Sequence, residues 1–330
     1  MKLYQINSRI LSKRMQLNLD CIDISYWQDL KNKGFNAVWL MGVWKICDYS
    51  IVESKKNFAN YPQESIVGSC FAVDDYVPDT FIGNLLDLKS KLNSVGLKLI
   101  LDFIPNHFGR LGSFFVDNPE LFLRREQTIN NTSETFQFDN QNYFLAKDPH
   151  YSPWSDVVQL DYSKPQTVET IQYKLIEISK LCDGVRCDMT MLILPEIFEQ
   201  TWGKKSLDFW KVAIEKVKLL NPNFIFIAEV YWNLENRVID EGFDLVYNKS
   251  FLDGLINNDQ PKLDYAKQII ATGKSLIFLE NHDEPRINSI FETYKVKELT
   301  DYMYSQNSSL LIQDGELDGQ KIRLPIQVCL

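Results

Sequence analysis

The sequence predicts an α/β fold, a (β/α)8 TIM barrel with a small irregular insertion after the third strand. Eight short apolar runs of β-type composition alternate with stretches of helical periodicity along most of the 330 residues. Four of these runs end in carboxylates, histidines or an arginine. Ionisable side chains placed where apolar strands stop are typical of the mouth of a parallel barrel.

The predicted strands are the runs at residues 3–10, 35–44, 98–107, 182–188, 223–232, 243–248, 275–286 and 309–313. The run at 35–44 is apolar almost throughout, which is typical of a strand buried on both faces. Helices are predicted at residues 24–34, 83–96, 166–181, 206–220, 234–240, 251–256, 263–272 and 295–304. Residues 47–68 are polar and aperiodic and are predicted to form a loop, whereas residues 71–76 are predicted to be extended.

Residues 108–165 interrupt this alternation, since they show no sustained helical or strand period. A structureless loop of that length is uncommon inside a compact domain, so we predict an inserted small subdomain there. The first part of the barrel would then cover residues 1–107 and the second part residues 166–330. An open doubly wound sheet is the alternative, and the absence of a glycine-rich first turn argues against it.

The composition excludes several classes of partner. A formal net charge of -9 and a pI of about 5.0 argue against binding to nucleic acid or to an anionic membrane. No apolar run approaches the roughly 18 residues that a membrane helix needs, and the opening residues have no signal-peptide character. The six cysteines are scattered without a CxxC pair, which favours reduced thiols and a cytoplasmic location. The oligomeric state is left open.

Arg186 and Asp188 end the fourth predicted strand, where residues two apart point to the same side. A cation beside a carboxylate favours its ionised form. Glu229, at the end of the fifth strand, lies instead among apolar and aromatic neighbours that would raise the pKa of its carboxyl. Of the three histidines in the chain, His107 and His282 both fall at strand ends. An ordinary ion pair would explain Arg186 and Asp188 alone, but the four strand ends together favour an active site.

Four strand-end motifs resemble, in order, the four conserved regions of the alpha-amylase family of glycoside hydrolases. They are DFIPNH at 102–107, GVRCD at 184–188, AEV at 228–230 and NHD at 281–283. The runs LYQINSR at 3–9 and AVWL at 37–40 also resemble the first two strands of that family. Four motifs in the right order, with an insertion after the third strand, make this resemblance specific along nearly the whole chain.

The resemblance implies a role for each residue that matches a motif. Asp188 would be the nucleophile, Glu229 the general acid/base, and Asp283 the carboxylate that stabilises the transition state. The residues implied to hold the sugar, or to support that site, are His107, Arg186, His282, Asp102 and Phe71. The family usually has a tyrosine where Phe71 stands, so the stacking face is kept and the hydroxyl is lost.

Asn106 matches a position that binds structural calcium in some members of the family, or that ties the insertion to the barrel. No cofactor is expected to be required, and a structural calcium ion is an option. Among the aromatic residues, Trp44, Phe71 and Trp232 are candidates either for sugar stacking or for the core.

The resemblance implies a retaining glycoside hydrolase that acts on α-glucosidic bonds by double displacement. Its substrate would be an α-glucan or a malto-oligosaccharide. Three alternatives stay open: an α-glucan glycosyltransferase of the same family, a catalytically silent relative that binds sugar or a partner, and a metal-dependent barrel hydrolase. The last would need more histidine ligands than a chain with three histidines offers.

Residues 314–330 are the least family-like part of the chain. The family's usual last helix and β-rich C-terminal domain are not recognisable after the eighth strand, which puts barrel closure at risk. Ile322, Leu324, Ile326 and Val328 alternate with other residues around Pro325 and predict an extended segment. We expect this tail to lie across the outer wall of the barrel beside the first and eighth strands, or to pair with a second subunit, and to leave an apolar patch.

Overall fold

Eight parallel strands close into a barrel in the computed structural model, which describes residues 1–125 and 133–330. The strands are β1 (Lys2–Asn7), β2 (Ala37–Met41), β3 (Lys98–Phe103), β4 (Gly184–Cys187), β5 (Ile225–Ala228), β6 (Leu245–Tyr247), β7 (Ser275–Ile277) and β8 (Ser309–Gln313). Each strand pairs with the strands before and after it, and β1 pairs with β8 from Lys2 and Leu310 to Gln5 and Gln313. The predicted (β/α)8 barrel is confirmed, and it closes despite the short C-terminal region.

Thirteen α-helices lie around the barrel and in the connections between its strands within the part of the chain that the structure describes. They are α1 (Ser8–Met15), α2 (Ile24–Asn32), α3 (Asp48–Asn57), α4 (Leu85–Ser94), α5 (Ser113–Asp117), α6 (Pro165–Leu181), α7 (Pro195–Trp202), α8 (Trp210–Leu220), α9 (Glu235–Asp240), α10 (Lys249–Asn257), α11 (Gln260–Ala271), α12 (Ile287–Ile290) and α13 (Thr293–Ser305). In α4 the buried stripe is Leu85, Leu88 and Leu92, as the sequence predicts. Within the part of the chain that the structure describes, no helix has both the length and the apolar character to cross a membrane.

Several strands are shorter than the apolar runs that predict them. The run at 3–10 stops being a strand at Asn7, whose side chain accepts hydrogen bonds from the backbone N–H groups of Arg9 and Ile10 and so begins α1. The run at 275–286 forms ladder pairs only over Ser275–Ile277. The reason is that an apolar run reports burial, and a buried loop beyond the end of a strand is equally apolar.

The loop predicted at residues 47–68 is wrong, because this segment contains α3 and a 3-10 turn at Gln63–Ser65. The helix has no aliphatic stripe, since its buried side chains are Ser50 and Ser54. Ser50 donates to Asp156 Oδ2 at 2.6 Å and accepts from the backbone N–H of Ser69 at 2.9 Å. A helix held by polar contacts shows no hydrophobic period in its sequence.

The segment between β3 and α6 contains small antiparallel sheets. His107–Gly109 pairs with Val157–Gln159, and a three-stranded sheet is made by Arg124–Arg125, Gln141–Phe144 and Thr135–Phe138. The interior of this segment is aromatic: the ring centroid of Phe115 lies 5.0 Å from that of Phe122 and 4.9 Å from that of Tyr143. A further antiparallel pair outside the barrel joins Trp44–Ile46 to Val73–Pro78.

The tail, residues 314–330, lies over the carboxyl ends of the strands, so its predicted position on the outer wall is wrong. The backbone N–H of Val67 donates to Gln327 O, and that of Cys329 donates to Ser65 O, each at 2.8 Å. Both partners belong to the long connection that follows β2. Arg323 Nε donates to the carbonyl of His282, beyond β7, at 3.0 Å. Alternation in the sequence predicts that one side of the tail is buried. It does not predict which surface of the protein buries that side.

We predict that Val328 holds the tail in place, because its side chain is only 1% exposed. The substitution Val328→Asp would bury an unpaired charge at a cost of about 2 kcal/mol and raise the opened fraction roughly 30-fold. Trypsin cleavage after Lys321 and Arg323, followed by mass spectrometry, would speed up accordingly. In the control Leu317→Asp, at a side chain that is 50% exposed, cleavage should stay at the wild-type rate. Equal rates in all three proteins would contradict this anchoring.

Candidate active site

The ladder between β3, β4 and β5 sets the positions of the predicted catalytic carboxylates. Arg186 in β4 lies opposite Asp102 in β3. The ladder continues one residue past the strand ends, since the N–H of Asp188 donates to Phe103 O at 2.8 Å and the N–H of Glu229 donates to Cys187 O at 3.0 Å. Asp188 and Glu229 therefore lie side by side at the carboxyl end of the barrel.

The guanidinium of Arg186 contacts three carboxylates. Its Nη1 lies 2.7 Å from Asp188 Oδ1 and 3.5 Å from Asp102 Oδ1, and its Nη2 lies 2.8 Å from Glu229 Oε2. The side chain is 1% exposed, and the rings of Trp39 and Phe71 each lie 5.1 Å from it. The predicted contact between Arg186 and Asp188 is present. What the sequence did not predict is that one buried cation serves three acids.

Glu229 is held by donors on both carboxylate oxygens. The N–H of Met189 donates to Oε2 at 2.7 Å, and the hydroxyl of Tyr231 donates to Oε1 at 2.8 Å. Met189 adopts the left-handed conformation, with φ of 41°, which is uncommon for a residue with a side chain. Burial raises the pKa of Glu229 to about 7, although Arg186 opposes this. The rise in the pKa of Glu229 that the sequence predicts is therefore present. Tyr231, however, contributes a polar contact rather than an apolar one.

Burial also raises the pKa of Asp188, although Arg186 opposes the rise. The sequence predicts that the neighbouring arginine favours an ionised Asp188, and the structure shows why this effect is incomplete. Arg186 divides its single charge among three carboxylates, and the charge of Asp102 adds repulsion. Asp188 and Glu229 therefore titrate as interacting groups.

Asp283 lies in a different environment, with a side chain that is 44% exposed. Its Oδ2 is 3.1 Å from His282 Nε2, and its N–H donates to Asn281 Oδ1 at 2.9 Å. Although burial acts in the opposite direction, His282 beside it and the charge of Arg186 lower the pKa of Asp283 below its usual value. Asp283 and Glu229 line one open cleft of about 490 Å³.

His107 and Asn106 lie where the barrel meets the inserted segment. His107 packs 5.4 Å from the ring of Trp154, and burial lowers the pKa of its imidazole to about 4, which keeps it neutral. Asn106 accepts from Gln159 Nε2 at 3.0 Å through Oδ1, and its carbonyl accepts from the N–H of Leu160 at 3.2 Å. Asn106 thereby ties the inserted segment to the barrel.

These contacts of Asn106 support the second of its two predicted roles, and calcium binding at this residue stays a prediction. Across residues 1–125 and 133–330, no group of three or more His, Cys, Asp or Glu side chains is placed to hold a metal. A structural calcium ion held in another way stays a prediction.

The three candidate aromatic platforms lie in different places. Trp44 is fully buried and donates to the carbonyl of Asp102 at 2.7 Å, so it belongs to the core. Phe71 is partly buried against the ring of His282 at 5.3 Å, beside the carboxylates. Trp232 is partly buried at the open cleft, where His150 packs against it at 4.8 Å.

Sequence reasoning missed several side chains that support the site from within the barrel. Trp39 donates to Asp102 Oδ1 at 3.1 Å, the ring of Tyr247 lies 5.8 Å from Arg186, and Gln5 Nε2 lies 2.9 Å from His282 Nδ1. Polar groups inside strands that are buried on both faces could have revealed them, since a buried amide or indole N–H needs a partner.

Together these groups provide two adjacent carboxyls, of which Glu229 can hold a proton near neutral pH, and a third carboxylate that stays ionised. Such a set can protonate a leaving oxygen while an anion faces an electron-poor carbon. Both carboxyls line the same cleft, although Glu229 is buried and Asp283 is partly exposed.

Solved α-amylase and debranching-enzyme structures share this fold. The α-amylase from Lactobacillus plantarum matches with a TM-score of 0.70 at 21% identity, covering 98% of this chain and 73% of that chain. The α-amylase from Geobacillus thermoleovorans, complexed with acarbose, matches with a TM-score of 0.67 at 16% identity, covering 99% of this chain and 73% of that chain. The debranching enzyme from Nostoc punctiforme matches with a TM-score of 0.70 at 17% identity, covering 96% of this chain and 71% of that chain. The chain therefore has the fold of the α-amylase catalytic barrel along nearly its whole length. No family model and no curated protein sequence matches it.

The raised pKa of Glu229 predicts how folding stability changes with pH. Its carboxyl binds a proton more tightly in the folded chain than in the unfolded one, so its contribution is present below about pH 4.5 and is lost as pH rises toward about 7. Relative to wild type, Glu229→Gln should therefore gain about 3 kcal/mol in free energy of unfolding between pH 4 and pH 8. Urea unfolding at each pH measures this, with Glu199→Gln at the surface as control. A pH-independent difference for Glu229→Gln would contradict the raised pKa.

Proposed function

We propose that this chain is a member of the alpha-amylase family and a retaining glycoside hydrolase of α-glucosidic bonds in oligo- or polysaccharides. The observation that carries the proposal is the pair Asp188 and Glu229 on one buried guanidinium, with a pKa of about 7 for Glu229. A retaining reaction needs two neighbouring carboxyls with different protonation states. The strand-end motifs and the shared barrel fold support the same assignment.

In the first step, the protonated Glu229 gives its proton to the leaving glycosidic oxygen as Asp188 attacks the anomeric carbon. The bond to the leaving group breaks and an ester between Asp188 and the sugar forms. Asp188 loses its charge in this step, and its charge is one cause of the raised pKa of Glu229. The pKa of Glu229 therefore falls, and its carboxylate can take a proton from the water that hydrolyses the ester.

Asp283 faces the positive charge that develops on the sugar ring, because it stays ionised beside His282. His107, His282 and Phe71 would hold the sugar, and Asp102 would support Arg186, from which it lies 3.5 Å. An α-glucan or malto-oligosaccharide is the proposed substrate. In support, one α-amylase of the same fold was solved with acarbose. No cofactor is proposed, and the six free thiols support a cytoplasmic location.

A transferase of the same family is the second candidate. It differs only in the second step, where a sugar hydroxyl replaces water. Aromatic side chains at the cleft favour this option, since Trp232 and the 74% exposed Tyr151 both line it. Such rings offer a stacking surface to an acceptor sugar. Products from maltose alone would distinguish the two reactions, because a transferase lengthens part of the substrate.

The test of the proposal follows products from malto-oligosaccharides and α-glucosyl fluoride by proton NMR. We expect the α-anomer to appear first. Asp188→Asn should lose at least about 10³-fold in kcat/KM on both substrates, whereas Glu229→Gln should lose far more on malto-oligosaccharides, since fluoride needs little protonation to leave. Glu199→Gln serves as control. A β-anomer as first product would overturn retention, and inactivity on all α-glucosides would favour a silent sugar-binding relative.

Activity should also depend on pH in a way that follows from Glu229. Because the proton donor is lost above a pKa of about 7, kcat/KM should fall above about pH 7. On the acid side of the optimum, kcat/KM should increase with increasing pH as Asp188 ionises. The profile is therefore bell-shaped. With α-glucosyl fluoride and Glu229→Gln, the falling limb should disappear. Activity that keeps rising into alkaline pH would contradict Glu229 as the acid.

A further inference from the structure

Gln5 is an amide in the wall of the barrel, in a strand whose other central side chains are apolar or aromatic. Leu3, Tyr4 and Ile6 are buried around it, and Gln5 itself is 1% exposed. Its Nε2 lies 2.9 Å from His282 Nδ1 and 3.6 Å from the thioether sulfur of Met41. These two residues belong to different parts of the barrel, since Met41 ends β2 and His282 follows β7.

The neighbours of Gln5 determine which end of the amide faces the imidazole. Nε2 lies between a thioether sulfur, which can only accept, and His282 Nδ1. The reversed amide would place its oxygen against that sulfur. In this orientation of the amide, Gln5 is the donor and His282 Nδ1 is the acceptor.

With Nδ1 as the acceptor, the ring proton lies on Nε2, which is 3.1 Å from Asp283 Oδ2. The ring position has separate supports, because Trp39 contacts it edge-on at 5.5 Å and Arg323 Nε donates to the His282 carbonyl at 3.0 Å. Asp283 and Asp102 are the acidic groups that act on His282 among the contacts described, and Arg323 is the basic one. The contact of Gln5 with Nδ1 favours a proton on Nε2, and Asp283 beside Nε2 favours the same tautomer.

We propose that Gln5 is a positioning residue that keeps His282 in its Nε2–H tautomer. The imidazole then offers an N–H toward Asp283 and toward a sugar hydroxyl bound beside it. In the opposite tautomer, a lone pair would face the carboxylate of Asp283 and repel it. The tautomer follows from the contacts alone, and only its consequence for activity rests on the proposed function.

The experiment is long-range nitrogen–proton NMR of protein labelled with ¹⁵N-histidine, which separates protonated from unprotonated ring nitrogens. Only three histidines contribute signals, and the set that disappears in His282→Asn belongs to His282. In wild type we expect a protonated Nε2 and an unprotonated Nδ1. Gln5→Glu places an acceptor at Nδ1 and should protonate that nitrogen. Gln5→Met should give a mixture, and the control Gln313→Met, in the neighbouring strand β8, should keep the wild-type pattern.

A protonated Nδ1 in wild type, or a His282 pattern that is unchanged in both Gln5→Glu and Gln5→Met, would overturn the proposal. The wild-type spectrum is decisive even if a variant does not fold. For activity we expect Gln5→Glu to lower kcat about 10-fold with little change in KM. If the NMR result is as expected and no α-glucoside is cleaved, the proposed function fails and the tautomer assignment stands.

Discussion

The buried guanidinium of Arg186 is the contact on which the rest of the site depends. Three carboxylates lie within 3.5 Å of it, and one positive charge cannot balance three negative charges out of water. Burial is the main reason why the pKa of Glu229 rises to about 7, and the charges of Asp188 and Asp283 add to the rise. The proton that acid catalysis needs is thus retained because Glu229 is buried among other acids that a single guanidinium does not balance.

Barrel closure brings these charges together. Parallel ladders place the ends of β3, β4 and β5 at one edge, and the pairing continues far enough to set Asp188 beside Glu229. On the other side of the mouth, Gln5 from β1 contacts the ring of His282, and Arg323 from the tail contacts its backbone. The barrel therefore positions the exposed carboxylate Asp283 through His282, separately from the pair on Arg186.

Much of this could be predicted from the sequence. The eight strands and the contact of Arg186 with Asp188 follow from local pattern, because each depends on neighbours in the chain. The direction of the pKa shift of Glu229 was also predicted, although its causes are burial and charges that are remote in sequence. The helix α3 could not be predicted in this way, since it buries two serines, of which Ser50 donates to Asp156 about a hundred residues away. The position of the tail could not be predicted either, because its partners lie in the connection after β2 and beyond β7.

The sequence by itself determined the order of strands and helices and the type of chemistry at each strand end, because burial and side-chain period are properties of short segments. Only the tertiary structure decided how the charges share partners. It showed that Arg186 serves three acids and that burial raises the pKa of Asp188 as well. It also showed that Gln5 meets His282 across 277 positions of the chain. Electrostatic energies depend on distances between groups that are remote in sequence, and only the closed barrel sets those distances.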